Sequence, residues 1–133
     1  EKRGVLVIQD YLESWPREIL QTQYDLVTEH GGGLGDMQSE DEFKGVFKRA
    51  AQVLKPGGCM LFANFLFNER SPLAERIGKG GLQALPLSRE LYREAAEQAG
   101  MSIADFHAID TPPDMPRVST FLYGFAQKPL RLL

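Results

Sequence analysis

Val53-Leu54-Lys55-Pro56-Gly57-Gly58, running into Cys59-Met60-Leu61-Phe62-Ala63-Asn64-Phe65, is the stretch on which the fold turns. Proline cannot continue a helix, and two glycines in a row favour a turn, so whatever helix precedes Lys55 must end there. The seven residues after the glycines are almost all apolar. Such a run fits a strand covered on both faces, as inside a parallel sheet. Upstream, Ser39 and Glu42 form a Ser-x-x-Glu capping box. Behind it Phe43, Val46, Phe47, Ala50, Val53 and Leu54 recur at helical spacing, with Lys44, Lys48, Arg49 and Gln52 on the other face. Gly45 weakens this helix by about 1 kcal/mol relative to alanine without cancelling the pattern. A capped amphipathic helix, a turn and a buried strand together read as one unit of an α/β sheet.

Working outward, Tyr24-Asp25-Leu26-Val27-Thr28 reads as the preceding strand and runs into Gly31-Gly32-Gly33 and Gly35. Val5-Leu6-Val7-Ile8 is a still earlier strand, with Asp10 at its end. Pro16 suits the first turn of a short helix that continues over Arg17 to Gln23. Downstream, Leu66 to Pro86 is long and irregular, with one helical turn expected at Leu73–Ile77; loops of that length are often lids or binding loops. Ser88 caps a further helix on which Leu91, Ala95 and Ala99 share a face, and Gly100 supplies its stop. Ser102 to Ile109 reads as a strand, Thr111-Pro112-Pro113-Asp114 breaks it, and Val118 to Ala126 reads as the last strand. Phe121, Tyr123 and Phe125 fall on one side of that strand and are expected as core or sheet-face aromatics. The order predicts a single α/β unit over residues 1–133 whose sheet ends in a hairpin.

A chain of 133 residues is long enough for one real core. Its net charge of -3 gives no overall basic surface, so nucleic acid is not an expected partner. One cysteine, Cys59, excludes an internal disulfide and suits a reducing compartment. Placed at the start of a buried strand, it is expected to behave as a small hydrophobe. His30 and His107 are far apart and lack an obvious third ligand, so no metal site is expected; His107, in mid-strand, reads as structural. No apolar run reaches the roughly 20 residues a membrane span needs. Glu1-Lys2-Arg3-Gly4 leads straight into a strand-like run with no signal peptide, which suggests a start inside a domain. The expected location is cytoplasmic.

Three local patterns resemble class I S-adenosylmethionine-dependent methyltransferases. Tyr24-Asp25-Leu26-Val27 is similar to the aromatic-Asp-Leu-Val opening of that family's fourth strand. Val53 to Gly58 resembles its "VLKPGG" turn before the fifth. Leu87-Ser88-Arg89-Glu90-Leu91, closing in Ala99-Gly100-Met101, is similar to its "LS-x-E-L … AGF" helix before the sixth. The patterns lie about thirty residues apart, as they do in the family, and together cover Tyr24 to roughly Ala126. The resemblance implies a mostly parallel, Rossmann-like methyltransferase sheet with a C-terminal antiparallel hairpin. By the same resemblance Val5 to Asp10 matches the third strand. The family's first glycine-rich strand–helix unit and the acid after its second strand have no counterpart in these residues.

What the resemblance implies about function is methyl transfer from S-adenosylmethionine to a small-molecule acceptor. Asp10 and Tyr11 would border the adenine, although an aspartate there could simply cap the following turn. Glu29 and His30, directly after the fourth strand, would line the cofactor's methionine side, since open α/β sheets bind ligands at strand C-termini. Gly31 to Gly35 would lie on the substrate side of that pocket. His30 is a candidate general base, against the plainer reading of a turn-stabilising histidine. Asn64 and Phe65, at the tip of the fifth strand, are candidates for the acceptor; Asn64 could equally satisfy loop backbone groups. The competing expectation is a methyltransferase-like binding or scaffold module without turnover. In either case the edge of the fourth strand is expected to be filled by the Val5–Asp10 segment, by a second copy of this chain, or by a partner or preceding half of the domain that completes the sheet.

Overall fold

The computed structural model describes residues 17–30, 39–66, 88–110 and 120–130. In chain order these form α1 (Arg17–Gln21), β1 (Tyr24–His30), α2 (Glu40–Val53), β2 (Leu54–Leu66), α3 (Arg89–Gln98), β3 (Ser102–Asp110) and β4 (Thr120–Gln127). The strand expected at Val5–Ile8, the glycines from Gly31 to Gly35, the loop residues 67–86 and the breaker Thr111–Asp114 lie outside the described residues.

Both long helices start as the sequence predicts. Ser39 Oγ accepts from the Glu42 amide at 3.2 Å, and Ser88 Oγ accepts from the Leu91 amide at 3.1 Å. Each cap satisfies one of the amide donors that the first turn leaves without a partner. The whole predicted stripe is buried, Phe43 to Val53 on α2 and Leu54 at the start of β2. α3 closes with paired bonds, Gly100 N to Glu97 O at 2.9 Å and Met101 N to Ala96 O at 2.8 Å, the two-bond pattern that follows a left-handed C′ residue. Lys44 departs from its expected place on a solvated face. Its side chain is 15% exposed, and its ammonium sits 3.2 Å from Glu94 on α3 and 3.7 Å from Glu40. Close packing of α2 against α3 turns that position inward.

The Lys55–Gly58 turn also differs from expectation. β2 starts at Leu54, not at Cys59: Leu54 pairs with Tyr24, and the ladder resumes at Leu26 with Cys59. Lys55 to Gly58 is therefore a bulge within the strand. Leu54 is fully buried and anchors the first pair, which leaves the next four residues out of the ladder with β1, although the Lys55 ammonium reaches Asp25 of β1 at 3.3 Å. Gly57 absorbs the bend at φ +81°, a region that side chains disfavour. The segment after β4 straps the bulge down, with Gly57 N donating to Lys128 O at 3.0 Å and Lys128 N donating to Gly58 O at 2.9 Å. Lys128 Nζ then reaches under the bulge to Ala51 O at 2.7 Å and Leu54 O at 2.8 Å.

The sheet has the order β1-β2-β4-β3, with β1 and β2 parallel and β4 antiparallel to both of its neighbours. β1, β2 and β3 thus share one direction, and the hairpin β3–β4 inserts the single opposed strand, as the sequence reading implied. α2 and α3 cover one face, where Val27, Met60, Phe62, Leu122, Ala126 and Phe106 meet them. Tyr92 of α3 is the hub of this core, stacked on Phe62 at 4.7 Å between ring centres and edge-on to Phe43 at 5.0 Å. The opposite face carries Leu26, Leu61, Tyr123 and Ile109, at 47%, 40%, 37% and 54% exposure. Tyr123 and Phe125 lie on that face and not in the core. No described helix is long and apolar enough to cross a membrane.

Candidate functional site at the strand tips

Because β1 and β2 run parallel, their C-terminal ends share one rim, with Glu29 opposite Phe62 and His30 opposite Ala63. Glu29 and His30 are the last two residues of β1; they do not follow it as expected. Pairing with Phe62 and Ala63 carries the ladder two residues past Thr28. The alternation of the pleat puts Glu29, Phe62 and Asn64 on the helix-covered face.

Asn64 Nδ2 donates to Glu29 Oε2 at 2.6 Å, tying the tips of β1 and β2 together through side chains as well as backbone. A hydrogen bond to a carboxylate is shorter and stronger than one between neutral groups. Asn64 is 1% exposed, and its amide faces the carboxylate with nitrogen, since the reverse orientation would set two acceptors against each other. This role for Asn64, holding a carboxylate, was not among those its sequence position suggested. Neither Asn64 Oδ1 nor the hydroxyl of Tyr92 has a hydrogen-bond partner. Leaving such groups buried and unpaired costs about 1–3 kcal/mol each. Burial first, and the nearby charge of Glu29 second, raise the Tyr92 phenol well above its ordinary range; the Asn64 side chain, close by but without hydrogen-bond geometry to the phenol, acts the other way. Tyr92 is therefore a neutral hydroxyl and not a base. Sequence reading missed it, although Tyr92 lies three and four residues before Ala95 and Ala96 on the buried stripe, where a hydroxyl is out of place.

Of the expected site residues the structure brings together Glu29 and Asn64. Asp10 and Tyr11 lie outside the described residues, as do the side chains of His30 and Phe65, which are placed only as backbone at the ends of β1 and β2. His107 sits on the open face, with its Nε2 2.6 Å from Asp105 Oδ1 and its ring stacked on Tyr123 at 5.0 Å. Cys59 is partly buried. Among the described residues no group of three or more histidines, cysteines or acids is arranged to hold a metal ion. A separate open notch of about 150 Å³ is lined by Arg89, Arg93, Ile103 and Phe106, with the Arg89 guanidinium 5.4 Å over the Phe106 ring.

No protein-family model matches this sequence, and no curated protein does. Solved structures do match. A S-adenosylmethionine-dependent methyltransferase from Methanosarcina mazei aligns with a TM-score of 0.65 at 14% identity over 83% of this chain and 61% of its own. An N-methyltransferase from Bradyrhizobium japonicum, in complex with S-adenosyl-L-homocysteine, gives 0.57 at 14% identity over 84% and 51%. Magnesium protoporphyrin IX methyltransferase from Synechocystis, also with S-adenosyl-L-homocysteine bound, gives 0.58 at 19% over 83% and 48%. The fold is that of the class I S-adenosylmethionine-dependent methyltransferases. This chain spans less than two thirds of the length of each of these three proteins.

Proposed function

We propose that this chain forms part of a S-adenosylmethionine-dependent methyltransferase acting on a small-molecule acceptor. One observation carries the reading: the order β1-β2-β4-β3, with one antiparallel strand, sets Glu29 and Asn64 at the C-terminal rim of a methyltransferase sheet. Bound S-adenosylmethionine would supply a methyl group on a sulfonium, already a good leaving group, so the protein's task is chiefly to hold donor and acceptor in line. The described residues suit that task. They present a fixed carboxylate at the rim and a dry aromatic floor beneath it, with no strong acid–base pair. In this reading Glu29 and His30 border the cofactor, Asp10 and Tyr11 complete its adenine side, and Asn64 and Phe65 approach the acceptor. A reducing, cytoplasmic setting fits the single cysteine.

A second reading is a methyltransferase-like binding or scaffold module without turnover. In both readings a further strand–helix portion, from a longer chain or a partner, completes the sheet beside β1 and covers the open face. Isothermal titration of S-adenosylmethionine into this chain, and into a longer one carrying the residues encoded upstream, separates them. The enzyme reading expects saturable binding by the longer chain at least. Binding by neither would leave only the module.

A further inference from the structure

We propose that the notch between α3 and β3 is a binding site for a small aromatic carboxylate, its acid group shared by the Arg89 and Arg93 guanidiniums and its ring resting on Ile103 and Phe106. The site stands on this geometry alone and does not depend on the methyltransferase reading. β1 and β3 are the two outer strands of the described sheet, so the notch lies three strand spacings, about 14 Å, from the strand that carries Glu29. Two features point to an anion. Positions four apart on a helix face the same way, so Arg89 and Arg93 repel each other. Arg89 is also the first residue of α3, at the positive end of the helix dipole, where an acid is the stabilising choice. Among the described residues neither guanidinium is paired with a carboxylate: Glu94 turns instead to Lys44 of α2, and the Arg89 guanidinium sits over the Phe106 ring, 5.4 Å from its centre. An anion held between the two arginines relieves both repulsions.

The lining sets the class of ligand. A guanidinium fork matches a carboxylate with two parallel hydrogen bonds. Ile103 and Phe106 are both half-buried and give the notch an apolar floor. Phe106 is held from below by Phe62 and Tyr92, each 5.6 Å away between ring centres, so the ring under Arg89 is fixed before any ligand arrives. The volume of about 150 Å³ is too small for a drug-sized ligand, whose pockets start at about 300 Å³, and suits one ring with one acid group. A peptide strand is a poorer fit. The register of β3 shifts between Ile103 and Asp105, beside the notch, and an irregular edge is a bad template for strand addition.

The test uses the dilute 133-residue chain and follows the fluorine line of 4-fluorobenzoate by NMR at physiological salt. Saturable broadening is expected, reversed by unlabelled benzoate, and neutral 4-fluorobenzamide is expected to show none. Arg89→Gln and Arg93→Gln change exposed side chains, so circular dichroism should overlay the wild type. Each is expected to weaken binding about tenfold or more, the loss of one charge-assisted fork. Lys48→Gln removes an equal charge from the exposed face of α2 and is expected to bind as wild type. Acetate, which lacks the ring, and inorganic phosphate are expected to displace the probe at least about tenfold less well than benzoate. The inference is overturned if 4-fluorobenzoate does not bind, if the amide broadens equally, or if both arginine variants bind as wild type. It is overturned equally if Lys48→Gln loses as much as they do, which would leave only net charge, or if acetate or phosphate competes as well as benzoate, which would leave only a site for bare anions. A chain that binds the probe at the notch but fails to bind S-adenosylmethionine keeps the inference and loses the enzyme reading.

Discussion

An ammonium set against the last carbonyls of a helix satisfies their lone pairs and opposes the negative end of the helix dipole. Lys128 does this for α2, from a position 74 residues beyond Leu54 in sequence. Lys128→Met keeps the stem and removes the charge. It is expected to cost about 1–2 kcal/mol in urea unfolding; a change near zero would mean that water serves those carbonyls equally well. Tyr92→Phe should act in the other direction. Removing a buried hydroxyl that has no partner is expected to raise stability by about 1 kcal/mol, and a loss instead would reveal an ordered water on that oxygen. The same residue sets an alkaline limit. Because the folded phenol titrates above its unfolded value, its neutral form stabilises the fold at any pH below about 10, and this contribution is lost as pH rises beyond that. Unfolding followed from pH 9 to 12 should show a steeper decline for the wild type than for Tyr92→Phe.

At the scale of elements, two glycines make opposite predictions. Gly124 of β4 passes so close to β3 that a Cβ there would run into the Asp105 carbonyl oxygen and press on the Phe106 backbone. Gly124→Ala is therefore expected to cost about 2–3 kcal/mol or to part β3 from β4. Gly45 on α2 has nothing within 4 Å of where its Cβ would stand, so Gly45→Ala should stabilise by about 1 kcal/mol. Thermal unfolding of the pair checks both. The helices and their caps were legible in the sequence because they rest on local rules: Ser39 and Ser88 bond to amides three residues away, and the stripe of α2 has the helical period. The start of β2 was not legible. Leu54 becomes a strand residue only by meeting Tyr24, thirty residues earlier, and by the clamp from Lys128. Local pattern therefore placed the boundary at the glycines.

At the scale of the whole molecule, the sheet is finished on one side only among the described residues. α2 and α3 close one face, while Leu26, Leu61, Tyr123 and Ile109 leave the other apolar and open. Exposed apolar patches mark places of association. The 133-residue chain alone is expected to self-associate with concentration in sedimentation velocity. Replacing Leu61 and Ile109 together by lysine should reduce that association without unfolding the core. Unchanged sedimentation of the double variant would show that the open face is not where chains meet.

The amino-acid sequence by itself determined the kinds of element, their order, the buried stripe of α2 and the resemblance of the Lys55–Gly58 region to a methyltransferase turn. All of these depend on residues within a few positions of one another. Only the tertiary structure decided that Glu29 and Asn64 meet at one rim, that Tyr92 lies under them, and that Lys128 closes the end of α2. The hydrogen-bonded pairs among these join residues 35 to 77 positions apart. A hydrogen bond of that kind follows from strand register and helix packing, which side-chain periodicity constrains to a face but not to a partner.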